Sequence, residues 1–114
     1  MPSAASMSVI DLLATWGPGC DPSVSSSESR RYCHDLAIEH GENFSVLSRF
    51  VPERMHDGMC AVYAFCRWSD DLGDEIGDRD RSTELLSWWR SELDACFDGR
   101  ASHPVFVALA PVIE

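Results

Sequence analysis

The chain has 114 residues, a length typical of one domain, and carries a formal net charge of −10. This acidity excludes simple electrostatic binding to nucleic acid, which needs clustered Lys and Arg, and it disfavours electrostatic docking on anionic membranes. Apolar residues make up 45% and charged residues 25% of the sequence, a profile typical of a globular rather than a disordered protein.

The cysteines and the apolar segments of the sequence indicate the cellular compartment of the protein. The cysteines number five, and no pair has the C-x-x-C spacing of a zinc or redox site, which indicates a reducing environment. The longest apolar run, Pro104 to Ile113, is too short to cross a bilayer, and the N-terminus lacks the pattern of a signal peptide. The sequence therefore predicts a cytoplasmic protein without a transmembrane segment. Peripheral contact with a membrane stays open.

The first 27 residues are predicted to be a weakly ordered lead. They contain a Gly-Pro-Gly triplet at 17–19, Pro22 and three serines at 25–27, all of which interrupt regular structure. One or two helical turns are predicted within this lead, over Val9–Trp16. The helical period becomes continuous from Glu28 onward, so the domain is predicted to cover residues 28–114.

Two helices are predicted in the first half of that domain. The first is capped by Ser26 or Ser27 and runs to about His40. The second is long: it begins at about Glu53, directly after a proline, and runs to Ile76, where the following glycine stops it.

Two further helices are predicted in the second half. One begins at Asp80 or Ser82 and is ended by Gly99, and the last is capped by Ser102 with a proline just inside it. No strand pattern of useful length occurs, so the predicted fold class is all-α. Three histidines show no metal-ligand spacing and are predicted at the surface: His34, His56 and His103. The last helix reads as unfinished at the final residue, which suggests a piece of a longer protein.

The long helix carries a line of polar side chains within the segment AVYAFCRWSDDLGDE at 61–75. An α-helix turns about 100° per residue, so residues at i, i+4, i+7 and i+11 share a sector of roughly 60°. Those positions are held by Tyr63, Arg67, Asp70 and Asp74, with Asp71 at the edge of the sector. The opposite side is predicted to pack against the core through Val62, Phe65, Leu72 and Ile76.

This line of Tyr63, Arg67, Asp70, Asp71 and Asp74, called the stripe below, predicts a cation site. Like charges at i, i+4 destabilise a helix by about 0.2–0.5 kcal/mol per pair, and Arg67 is the one basic residue nearby in sequence. Mg²⁺ prefers oxygen ligands and typically takes one or two carboxylates plus phosphate oxygens of a substrate. A short acidic run is often only a solvated helix face. Here the acidic residues share their helix face with Tyr63 and Arg67, which favours a metal-binding site over a merely solvated face.

Two segments resemble the N-terminal part of the squalene/phytoene synthases. They are YCHDLAIEHGENFSVLSRFVP at 32–52 and the acidic segment at 61–75. HGENF, followed by VYAFCR and DDLGDE, is most similar to the bacterial hopanoid-pathway branch of squalene synthases (HpnC). The resemblance covers about residues 28–114. It implies the N-terminal portion of the isoprenoid synthase helical fold with a central apolar cavity, a prenyl diphosphate substrate and Mg²⁺ as cofactor.

The resemblance also implies an activity. Family members are transferases that join two prenyl diphosphates head to head through a cyclopropyl intermediate, or convert that intermediate further. The HpnC-like member is expected to act on presqualene diphosphate, derived from farnesyl diphosphate, in squalene and hopanoid biosynthesis. The family's second acidic motif lies far downstream of these residues. The 114 residues alone are therefore expected to be inactive.

Residue roles follow from the same match. Asp70 and Asp74 correspond to metal-binding aspartates, and together with Tyr63 and Arg67 they form the implied catalytic set. The residues implied to contact the substrate are His40, Asn43, Tyr63, Arg67 and Asp71. Two alternatives stay open: a phytoene-type head-to-head synthase, and a non-catalytic helical module that binds a metal or a partner helix through the 70–75 face.

Overall fold

The structure is a computed structural model that describes residues 4–40 and 49–113. Those residues form α-helices and short 3₁₀ turns without any strand, which confirms the predicted all-α class. The five α-helices of the described ranges are α1 Val9–Trp16, α2 Ser26–His40, α3 His56–Asp74, α4 Arg79–Phe97 and α5 Pro104–Ile113. The 3₁₀ turns cover Ala4–Ser6 and Glu53–Met55, so the predicted long helix begins with a tighter turn before α3.

Local capping chemistry sets two of the helix starts. The Oγ of Ser25 accepts a hydrogen bond from the backbone N–H of Glu28 at 3.0 Å, so the cap of α2 lies one residue before the predicted serines. At α4, the carboxylate of Asp78 accepts from the backbone N–H groups of Asp80 and Arg81. That helix therefore begins earlier than either predicted start.

Glycines end the two long helices as predicted. Gly77 follows α3 with a φ of 81°, and Gly99 follows α4 with a φ of 77°. Both values lie in the left-handed region that glycine adopts without steric cost. These two turns reverse the chain so that α3, α4 and α5 pack together.

The core forms where α2 and α3 pack against each other and both contact α5. Its centre is an aromatic cluster: the ring of Trp68 stacks on Trp89 with centroids 5.1 Å apart and planes at 9°. His103 stands edge-on to both rings, at 4.4 Å from Trp68 and 5.0 Å from Trp89. The predicted surface position of His103 is wrong, because its side chain is 0% exposed.

His103 is buried because it starts the apolar helix α5. Its ring Nδ1 accepts a hydrogen bond from the backbone N–H of Val105 at 3.1 Å, which is the role predicted for Ser102. The helix that follows is almost wholly apolar and enters the core from its first turn. The imidazole is carried inward with it.

The predicted buried face of α3 is confirmed for Leu72, Phe65 and Ile76, which lie in or against the core, and is wrong for Val62. Val62 is 46% exposed, whereas Trp68 and Leu72 are 0% exposed. The other buried residues of α3 are Cys60, Ala61 and Ala64. These small side chains allow neighbouring helices to approach closely around Trp68, so the bulky indole sets which side of α3 faces inward.

The N-terminal residues also contribute to the core. The predicted helix over Val9–Trp16 is present as α1, and it packs against α3. Ala5, Val9 and Leu12 are each less than 5% exposed and belong to the buried cluster. The domain boundary at residue 27 stays a prediction. Among the described residues, no helix has both the length and the apolar character that crossing a bilayer requires.

Candidate functional site

Arg67 and Asp71 form an ion pair on the polar side of α3. The Nε of Arg67 donates to Oδ2 of Asp71 at 3.1 Å, and the two side chains are 38% and 19% exposed. Burial works against the charged guanidinium, but hydrogen bonds to Asp71 and Tyr63 outweigh it and raise the pKa of Arg67. One of the stripe's carboxylates is therefore already neutralised within the helix.

The other two aspartates of the stripe are left unneutralised. Asp70 and Asp74 are exposed, and within residues 4–40 and 49–113 neither has an ion-pair partner. They lie one helical turn apart, so their Cβ atoms are about 5–6 Å from each other. Their turn is the C-terminal end of α3, where the helix dipole is negative and no basic residue compensates.

This pair fits a magnesium ion only in part. Two adjacent carboxylates match the one or two that Mg²⁺ takes beside substrate phosphates. In the described part of the chain, no group of three or more His, Cys, Asp and Glu side chains is placed to hold a metal ion. Asp70 and Asp74 can therefore supply two ligands, and phosphate oxygens or water would have to complete the coordination.

A cavity of about 340 Å³, with both charged and apolar side chains in its lining, lies beside the ion pair. Arg67 and Asp71 line it from α3, Glu75 lies at the end of that helix, and His40 lines it from the end of α2. The Nε2 of His40 donates to the carbonyl oxygen of Ala5 at 3.0 Å, so this ring already has a backbone partner. The structure thus brings together three of the predicted substrate contacts. Asn43 lies outside the described residues.

Tyr63 lies on a second and more apolar depression. This groove of about 830 Å³ runs between the start of α3 and the end of α5. Its apolar lining residues are Met55, Met59, Val62, Ala108, Pro111 and Val112. Tyr63 and Arg67 lie one helical turn apart on α3, so the groove that Tyr63 lines and the cavity that Arg67 lines are neighbours along this helix. Such a pairing suits a ligand with one anionic end and one hydrocarbon end.

The site includes residues that the sequence alone does not indicate. Residues 6–10 line the cavity beside Arg67 although they lie about sixty positions before Arg67 in the chain. No local motif connects two segments so far apart. Glu75, by contrast, belongs to the acidic face predicted at 70–75.

The unpaired aspartates lead to a stability prediction. Asp74→Asn is expected to stabilise the metal-free fold by about 0.3–1 kcal/mol, because it removes a negative charge from the C-terminal end of α3 and a like-charge neighbour of Asp70. Urea unfolding in the presence of a chelator measures this change. Asp21→Asn is the matched control, since Asp21 is exposed and lies outside any helix. Equal or lower stability of Asp74→Asn than of the parent chain would contradict the prediction.

Comparison of the amino-acid sequence with known proteins shows which family it resembles. A sequence model described as squalene/phytoene synthase matches residues 38–114. The chain is 36% identical over 84 residues to a phytoene synthase of Rhodobacter capsulatus, which covers 72% of this chain and 24% of that protein. It is 33% identical over 90 residues to a phytoene synthase of Cereibacter sphaeroides, covering 72% and 25%.

A third relative carries a different name. The chain is 32% identical over 59 residues to a presqualene diphosphate synthase of Rhodopseudomonas palustris, covering 52% of this chain and 21% of that protein. The chain spans about a quarter of the length of the curated relatives it matches. No solved structure matches it. The resemblance to the HpnC branch stays a prediction. The family match covers about two thirds of the chain, including the whole acidic helix, and the chain belongs to the squalene/phytoene synthase family.

Proposed function

We propose that this chain supplies the first magnesium-diphosphate half-site of a head-to-head prenyl diphosphate transferase. The observation that carries the proposal is the division of the acidic cluster on α3. Arg67 neutralises Asp71, whereas Asp70 and Asp74 stay exposed without an ion-pair partner in the described residues. The carboxylates that lack a counter-charge are those that the family resemblance assigns to the metal.

Each element of the site has a distinct task in this proposal. Asp70 and Asp74 would hold Mg²⁺, which would supply positive charge beside a diphosphate leaving group. Arg67 has five N–H donors, more than its contacts with Asp71 and Tyr63 use, and so it can also bind phosphate oxygens. The apolar groove beside Tyr63 accommodates the hydrocarbon tail.

The HpnC-like assignment is the leading choice for the reaction. In this assignment, the complete protein acts on presqualene diphosphate or farnesyl diphosphate in squalene and hopanoid biosynthesis. It works in the cytoplasm and contacts the membrane peripherally to release its lipid product. A phytoene-type reaction is the second candidate, because two relatives named phytoene synthase match most of this chain. Comparing turnover of farnesyl diphosphate with that of a prenyl diphosphate one isoprene unit longer, using the complete gene product, separates the two.

Calorimetry tests the half-site itself. Mg²⁺ and a non-hydrolysable farnesyl thiodiphosphate are titrated together and separately into the complete gene product. Each ligand is expected to tighten binding of the other, because a metal held by the two carboxylates would also attract phosphate oxygens. Asp70→Asn is expected to weaken the Mg²⁺-dependent component about tenfold or more, which corresponds to about 1.4 kcal/mol.

The control is Asp94→Asn, an exposed helical aspartate on α4 that pairs with Arg90. It is expected to leave the coupling between Mg²⁺ and the thiodiphosphate unchanged. Metal uptake that is indifferent to the thiodiphosphate would instead support a non-catalytic metal-binding module. It would contradict the transferase proposal.

A further inference from the structure

A serine hydroxyl joins α3 to α4 directly beside the proposed metal ligands. The Oγ of Ser69 lies 2.8 Å from the carbonyl oxygen of Phe65, one turn earlier on α3. It also lies 3.0 Å from Nε1 of Trp89 on α4. A carbonyl oxygen only accepts and an indole N–H only donates, so the hydroxyl donates to Phe65 and accepts from Trp89. This one atom therefore connects the backbone of α3 to a side chain of α4.

The turn of α3 that ends at Asp70 is held from two sides. Ser69 immediately precedes Asp70 and is hydrogen-bonded to α4. Trp68, one residue earlier, donates from Nε1 to the hydroxyl of Tyr32 on α2 at 2.9 Å. Arg67 and Asp70 lie on either side of these two residues in the chain. The contacts to α2 and to α4 thus fall between the guanidinium and the first of the proposed metal-binding carboxylates.

Packing alone does not require a hydroxyl at position 69. The ring of Trp89 stacks on Trp68 with centroids 5.1 Å apart and on Phe65 with centroids 6.0 Å apart. Phe65, Trp68 and Ser69 share one face of α3, and an apolar side chain at position 69 would extend that packing. The hydroxyl adds an effect on the backbone, because a serine that donates to the carbonyl four residues earlier tends to bend its helix. The N–H of Trp89 fixes the orientation of that hydroxyl.

We propose that Ser69 is a positioning residue for the magnesium-diphosphate half-site. Its hydroxyl sets the direction in which α3 continues from Arg67 to the turn that carries Asp70 and Asp74. The carboxylates can hold Mg²⁺ while the guanidinium binds phosphate oxygens only when these two parts of α3 are aligned. A shift of about 1 Å is enough to weaken such an arrangement strongly. This inference rests on the proposed function, because it takes Asp70 and Asp74 as the metal ligands.

Ser69→Val and Ser69→Thr form the matched pair that tests the hydroxyl, since the two new side chains have nearly the same shape and only threonine carries a hydroxyl. Threonine can also donate to the carbonyl four residues earlier. The probes are Mg²⁺ and the non-hydrolysable farnesyl thiodiphosphate, titrated by calorimetry into the complete gene product. Ser69→Val is expected to lower the coupling between the two ligands about threefold to tenfold, less than the loss of a group that touches a metal ligand would. Ser69→Thr is expected to keep the coupling within about twofold of the parent value.

Amide hydrogen exchange of the metal-free protein supplies a readout that involves no ligand. In Ser69→Val, residues 70–75 are expected to lose protection, whereas residues 59–66 of the same helix keep theirs. Such a local loss would show that the hydroxyl orders the turn that carries Asp70 and Asp74.

Trp89→Phe tests the other end of the hydrogen bond, because it removes the indole donor and leaves the serine in place. It is expected to lower the coupling by a similar factor. Combining it with Ser69→Val is expected to add little, because both variants break the same hydrogen bond. Ser91→Ala is the control, since it removes an exposed hydroxyl that donates to the carbonyl oxygen of Trp88 within α4. It is expected to leave the coupling unchanged.

The outcomes separate the positioning role from the proposed function. Unchanged coupling in Ser69→Val, together with its loss in Asp70→Asn, would overturn the positioning role and leave the half-site standing. Equal losses in Ser69→Val and Ser69→Thr would also overturn it, because shape rather than the hydroxyl would then be responsible. Absence of coupling in the parent protein would overturn both proposals. Should Ser69→Val fail to fold, Ser69→Ala replaces it with the same expected loss, because it removes the hydroxyl without adding bulk. Loss in the variant without the hydroxyl, with Ser69→Thr and Ser91→Ala close to the parent, supports the positioning role.

Discussion

Acidification is expected to destabilise the fold by about 1.4 kcal/mol per pH unit as the pH falls below 6.5, because His103 has to stay neutral. The imidazole is 0% exposed, and burial lowers its pKa from 6.5 to about 3. The unfolded chain therefore binds more protons than the folded one between these values. This contribution to stability is fully present above pH 6.5 and is lost progressively as the pH falls towards 3.

The surroundings of His103 explain why its protonation is so unfavourable. Its Nδ1 accepts a hydrogen bond from the N–H of Val105, and a proton added there would replace an attraction by two opposed donors. Its Nε2 is buried without a hydrogen-bond partner in the described part of the chain. The rings of Trp68 and Trp89 enclose the imidazole and offer no carboxylate to balance a positive charge.

Urea unfolding at several pH values between 7 and 5 measures the slope, in a range where most carboxylates stay ionised. His103→Asn is the comparison variant, since asparagine keeps a short acceptor for the N–H of Val105 but does not titrate. It is expected to be less stable at pH 7 and to show a flatter pH dependence. Equal slopes for the two proteins would show that His103 is not responsible.

Replacing Trp68 by alanine is expected to cost about 3–5 kcal/mol, a large share of the roughly 5–15 kcal/mol that stabilises a typical domain. Its side chain is 0% exposed, stacks on Trp89 and meets the edge of His103. Its Nε1 also donates to the hydroxyl of Tyr32 at 2.9 Å, which connects α3 to α2. Alanine would remove these contacts and leave a cavity at the centre of the core.

Trp88→Ala is the matched control, because the neighbouring Trp88 is only half-buried, and a clearly smaller cost is expected. Trp68→Phe separates the two contributions of the indole, since it keeps an aromatic ring but removes the donor to Tyr32. The free energy of unfolding from urea titrations measures all three variants. A cost for Trp68→Ala no larger than that for Trp88→Ala would contradict the central place given to Trp68.

Trp68 also matters for the site, because it fixes the rotation of α3. The indole holds one side of the helix in the core, and the polar stripe then faces the cavity or solvent. Arg67 precedes Trp68 directly, and Asp71 follows it by three positions. A packing change at Trp68 is therefore transmitted to the ion pair within the same helical turn.

Features that depend on neighbouring residues were predictable from the amino-acid sequence. Helices were predictable because their ends carry local signals, such as Gly77 and Gly99, whose turns need only the conformational freedom of glycine. The stripe of Tyr63, Arg67 and Asp70 was predictable because residues three and four positions apart share a face of any α-helix. The family resemblance was also visible in the sequence, because the motifs that carry it are continuous segments.

Tertiary structure alone decided features that depend on distant contacts. The burial of His103 follows from the entry of α5 into the aromatic cluster, and the buried side of α3 follows from where Trp68 finds its partners. The lining of the cavity beside Arg67 by residues 6–10 requires segments about sixty positions apart to meet. The local periodicity of the sequence carries no information about such long-range contacts, because the packing of whole helices determines them.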